Sequence, residues 1–135
     1  MMLTACRFNE EESATAQLTN LLNTRINKGG LFEEKAYGAQ YWKTISRDKW
    51  IQSQNFINQT HGALTSYKIE EVQSKGRRKG FSSSGWVGFI ISTTYSKGVQ
   101  GHEQVNFYKP GKDQPFEVIS HNVKSPIVEQ LRKKS

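Results

Sequence analysis

Proton transfer at neutral pH needs a carboxylate, imidazole or phenol within hydrogen-bond reach of a substrate. The sequence offers His102, Glu103, His121, Tyr67 and Tyr95 for that work. His102 and Glu103 are neighbours in a run that reads as a strand, so their side chains point to opposite faces and form no dyad. Glu103 shares a face with Val105 and Phe107 and is expected to point inward. Its structural alternative is a pairing with a lysine across the sheet, such as Lys97. His61, His102 and His121 are too scattered for a zinc signature. No glycine loop of phosphate-binding pattern and no Ser-His-Asp spacing occurs. The balance favours a non-catalytic protein without a cofactor. The alternative is a small-molecule enzyme whose cavity is lined by Trp50, Tyr67, Tyr95 and Glu103.

A second kind of chemistry belongs to the connection 73–84, where Lys75, Arg77, Arg78 and Lys79 precede Phe81. A basic loop with one aromatic is a candidate anion site, and phosphate contacts would make its binding steeply salt-dependent. Nucleic acid, an anionic head group or a partner protein would each suit it. The chain carries 19 Lys and Arg against 12 Asp and Glu, a formal charge of +7. Because these residues form no single long stripe, a solvated surface is preferred to nucleic-acid binding. Tyr41, Trp42 and Trp50 lie close together and resemble a base or sugar platform, but packing of a helix on a sheet is the commoner reason for such a cluster.

These residues need elements to position them. Asn9 to Glu12 reads as a helix start, with a capping side chain and three carboxylates at the positive end of the dipole. Leu18, Leu21, Leu22 and Ile26 then recur at helical spacing, and Lys28-Gly29-Gly30 closes the segment. A shorter helical segment is expected over Leu31 to Thr44, and a serine-capped helix from Ser46 carries Trp50, Ile51, Phe56 and Ile57 to a stop at His61-Gly62. From Ala63 the period changes to two, with Ala63, Thr65, Tyr67 and Ile69 on one face. The stretch Gly85 to Tyr108 holds two β-branched and aromatic runs around a glycine-rich break, a central hairpin. A turn at Lys109 to Asp113 leads to a last strand around Phe116 and Val118. After Ser125-Pro126 a short amphipathic turn is expected, with Ile127, Val128 and Leu131, before the basic end.

Helices followed by a four-stranded antiparallel meander make an α+β fold. At 135 residues one domain is expected, over 9–123, with an N-terminal segment 1–8 and a basic tail 124–135. No run reaches the roughly 20 apolar residues of a membrane-spanning helix. The single cysteine, Cys6, rules out an internal disulfide.

Two resemblances add to this. Trp50, Gly62-Ala63-Leu64, Ser66, Gly85, Val87, Thr94, Tyr95, Lys97, Glu103 and Val105, in that order and spacing, resemble a bacterial domain family known as DUF4019. That family is similar to the NTF2-like (cystatin-like) superfamily. The likeness covers roughly residues 15 to 123. It implies a curved sheet wrapped around helices as a cone and a homodimer through the sheet face. For the enzyme alternative it implies isomerase- or dehydratase-like chemistry. Tyr67 stands where that family usually has an arginine, and the last strand, PFEVISHNV, departs from its pattern. Leu3-Thr4-Ala5-Cys6 resembles the lipobox of bacterial lipoproteins, which implies lipidation at Cys6, a periplasmic, membrane-anchored address and an envelope partner. Only five residues precede Cys6, short of the apolar stretch of about 7 to 15 residues in a signal peptide, so this resemblance implies a truncated or misplaced start.

Overall fold

The computed structural model describes residues 2–75, 85–111 and 113–134. Helix α1, Met2–Arg25, starts upstream of Asn9. The cap expected there is overridden because Met2, Leu3, Ala5 and Arg7 are good helix formers and carry the helix through it. Ala14, Leu18 and Leu22 are buried on one stripe, and Arg25, three residues on, is buried with them. Asn27 and Gly30 then take positive φ angles of 68° and 91° and turn the chain back.

Residues 31–44 are not one helix. A single 3-10 turn, Glu34–Ala36, precedes a short helix α2, Ala39–Thr44. Between them Tyr37 makes a parallel bridge to Val118, and the Gly38 amide donates to the Val118 carbonyl at 3.0 Å. Strand pairing wins here over the helical spacing of Phe32, Ala36 and Ala39. Glycine suits it, since a Cβ at Gly38 would meet the Glu117 side chain. Helix α3, Arg47–Thr60, begins as expected: the Ser46 hydroxyl accepts from the Lys49 amide at 3.2 Å. It stops at Gly62, whose φ of 84° is left-handed.

Strands β1 (Leu64–Lys75), β2 (Trp86–Tyr95), β3 (Gln100–Tyr108) and β4 (Glu117–Lys124) form one antiparallel sheet in that order, an α+β fold. β1 has irregularities between Leu64 and Ser66 and between Ile69 and Glu71. The first explains why Leu64 is fully buried although strict alternation would place it opposite Tyr67. The expected loop start at Gln73 is also corrected: Gln73, Ser74 and Lys75 still pair with Gly88, Val87 and Trp86. Helix α4, Pro126–Lys134, stands where only a turn was expected; the Ser125 hydroxyl caps it, accepting from the Val128 amide at 3.2 Å.

The core lies between one sheet face and the helices. Phe89, Ile91 and Tyr95 of β2 and Val105 and Phe107 of β3 meet Leu18, Leu22, Trp50 and Ile57 there. Gln17 clamps the approach to β4 onto α1, because both ends of its amide bond the Phe116 backbone. On the other sheet face Ser66, Lys68, His102, Gln104 and Asn122 are exposed.

Candidate functional site

Three secondary elements and one connecting segment converge on Glu103. As expected, Glu103 points inward from β3 beside Val105 and Phe107, while His102 faces out. Its partner is not Lys97, whose ammonium donates to the Gln59 carbonyl, but Arg25 at the end of α1. The guanidinium approaches end-on, through both terminal nitrogens: Nη1 donates to Oε1 at 2.8 Å and Nη2 to Oε2 at 3.1 Å. Arg25 Nε donates to the Gly30 carbonyl at 2.9 Å and Nη2 to the Tyr95 hydroxyl at 3.1 Å. Tyr95 in turn donates to Glu103 Oε2, and His121 Nε2 lies 2.6 Å from Oε1. Every Glu103 oxygen is therefore used twice. Both charged side chains are closed to water, at 1% and 0% exposure.

Electrostatics fix the protonation states. Burial works to raise the Glu103 pKa, but the Arg25 charge and the His121 hydrogen bond outweigh it and hold the carboxyl well below the usual carboxylate range. Burial likewise opposes the Arg25 charge, and the facing carboxylate more than offsets it. An ionised Glu103 only accepts, so His121 carries its proton on Nε2. Its Nδ1 then accepts from the Tyr37 hydroxyl at 2.9 Å. Burial lowers the His121 pKa, keeping the ring neutral, and raises that of Tyr37. Phe32 stacks on the His121 ring at 4.6 Å, with 18° between planes.

His61 forms a smaller node. The Thr60 hydroxyl donates to the Phe56 carbonyl at 2.7 Å, so its oxygen accepts from His61 Nδ1 at 2.6 Å. His61 Nε2 is left to accept from Ser125 at 2.8 Å. This ties the end of α3 to the start of α4.

Of the four residues expected to line a cavity, Tyr95 and Glu103 meet in the core. Trp50 is buried too, but its ring packs edge-on against Tyr37 at 5.9 Å and Trp42 at 5.8 Å. Tyr67 is apart, half-buried on β1, with its hydroxyl donating to Asn23 at 2.8 Å. Beside Glu103 and Tyr95 stands the buried Arg25 side chain, hydrogen-bonded to both. The Cys6 and Lys75 side chains and residues Arg77, Arg78 and Lys79 lie outside the described residues. Among the described residues no cluster of three or more His, Cys, Asp or Glu is arranged to hold a metal ion, and no helix is long and apolar enough to cross a membrane.

An open groove of about 650 Å³ lies along the outer edge of β4. Leu31, Tyr41, Ile45, Phe56, Val123 and Val128 give it apolar walls. Lys49, Gln52, Ser53 and Asn122 supply polar groups. His121 also lines it, and because that residue is half-buried while its side chain is fully enclosed, it presents backbone. His121 thus belongs to both, with its backbone at the groove and its ring in the Glu103 network.

No protein-family model, curated protein or solved structure matches this chain.

Arg25 and Tyr37 escaped the reading of the sequence. The available signal was a cation at the seventh place after Leu18, on the helix's apolar stripe, facing a carboxylate on a strand's apolar face. Tyr37 had no such signal, since its position depends on the bridge to Val118. Replacing Tyr37 by phenylalanine is expected to leave His121 Nδ1 buried without a donor and to cost about 1–3 kcal/mol in urea unfolding. An unchanged midpoint would mean that the hydroxyl does not hold the histidine.

Proposed function

We propose that this chain is a non-catalytic binding module and that its binding surface is the groove between α3 and β4. The observation that carries this is the saturation of Glu103. A general base needs a free lone pair directed at a substrate, and here Arg25, Tyr95 and His121 take all of them. The groove, in contrast, is open, mostly apolar and dotted with a few polar groups, the usual make-up of a ligand site.

A cavity enzyme of isomerase or dehydratase type is the second reading, favoured by the series Tyr37–His121–Glu103, which has the form of a proton relay. It requires a substrate to displace Arg25 from the carboxylate.

The broader setting we propose is an NTF2-like, DUF4019-like domain tethered to a bacterial envelope through lipidated Cys6. Support comes from the sequence resemblances and from the α+β order of helices before a four-stranded meander. A homodimer through the open sheet face would be held by polar contacts from residues such as Lys68 and Gln104, which stand in water there.

Thermal-shift screening with small amphipathic compounds separates the two readings. Ligands are expected to stabilise wild type and Tyr95→Phe alike and to fail with Ser53→Trp, which fills the groove from an exposed helix position. Ligands that fail with Tyr95→Phe yet still stabilise Ser53→Trp would transfer the function to the buried network.

A further inference from the structure

Lys49, Gln52, Ser53, Phe56 and Ile57 follow one another along α3 at steps that place them on one stripe facing the groove. The stripe changes character along its length. Its first turn and a half is cationic and polar and lies near the helix N-terminus, where the backbone dipole also favours negative charge. Its last turn is apolar. The His61–Ser125 hydrogen bond brings the start of α4 to that end, so Val128 closes it beside Val123.

Charge points the same way. Among the described residues lining the groove, Lys49 carries the formal charge, since burial holds His121 neutral and no carboxylate is present. Lys49 forms no ion pair among the described residues. Its neighbour Arg47 is already engaged with Glu34 and stacked over Trp42 at 4.2 Å.

Taking the groove as the binding site, we infer that its ligand is an amphipathic monocarboxylate, an acyl chain with a single anionic head. The head lies at Lys49, Gln52 and Ser53. The chain runs over Phe56 and Ile57 to Val123 and Val128. The volume of about 650 Å³ falls within the range of small-ligand sites.

Calorimetric titration of the full chain with decanoate, 1-decanol and a ten-residue extended acidic peptide tests this. Decanoate is expected to bind one per chain, to lose binding in Ser53→Trp, and to weaken about three- to tenfold in Lys49→Gln. Decanol affinity is expected to be the same in wild type and Lys49→Gln. Equal binding of decanoate and decanol, unaltered by Lys49→Gln, would overturn the anionic head while leaving the groove as the site. Decanoate binding that survives Ser53→Trp would overturn the groove itself. Binding of the peptide without decanoate would replace the small ligand by strand addition along β4, and binding of neither would refute the inference.

Discussion

Replacing Arg25 by methionine is expected to lower the unfolding free energy by about 3–5 kcal/mol, because it leaves the Glu103 carboxylate buried without its charge partner. Domains of this size hold about 5–15 kcal/mol in all, so the variant gives up a large share of its stability. The loss reflects more than one ion pair. Arg25 also closes the end of α1 onto Gly30 and positions the Tyr95 hydroxyl. Changing Glu103 to glutamine in the same chain removes the orphaned charge, keeps an oxygen to accept from His121 Nε2, and turns an amide NH2 toward the Tyr95 hydroxyl oxygen, which can accept from it. The double variant is therefore expected to be more stable than the sum of the single losses predicts, by about 1–3 kcal/mol. Urea unfolding of the four proteins in the cycle measures this. Strict additivity would mean that the two charges do not act as a pair.

Stability is expected to fall on both sides of neutral pH. The Glu103 carboxyl titrates lower in the folded chain than in the unfolded one, so its contribution is complete above about pH 4.3 and is lost as the pH drops through its folded value. His121 and His61 are pushed down by burial. Below about pH 6.5 the unfolded chain takes up protons that the folded chain refuses, so acid destabilises it already in that window. Tyr37 and Tyr95 are pushed up, mainly by burial. Above about pH 10 the unfolded phenols ionise first, and stability falls as the pH rises. Each proton by which the two states differ contributes a slope of about 1.4 kcal/mol per pH unit. Urea midpoints between pH 4 and 11 should trace a dome with its acid side descending from about pH 6.5. A flat line from pH 7 to 5 would show that the histidines are reached by water.

The sheet was legible in the sequence because β-branched alternation and turn glycines act locally. β2, β3, the inward face of Glu103 and the Ser46 cap all follow from neighbours within a few residues. Three features depended on distant partners and were not legible. The 31–44 segment breaks because Val118 offers Tyr37 and Gly38 a strand edge. Leu64 turns inward because β1 is irregular beside it. Glu103 pairs with Arg25, separated from it by most of the chain, and not with the nearby Lys97. Trp50 and Tyr67 were grouped with Glu103 by chemistry, and the fold separates them. The groove had only one trace in the sequence, the change from polar to apolar along the α3 stripe.

Amide NMR of the labelled chain, titrated with decanoate, tests the central claim most directly. The prediction is a set of shifts confined to α3 from Lys49 to Ile57, to Asn122 and Val123 and to the start of α4, with the Glu103 and Tyr95 amides unmoved. Shifts centred on Glu103, Tyr95 and Arg25, with the α3 stripe silent, would contradict it: the buried carboxylate would then be the working site and the groove only surface.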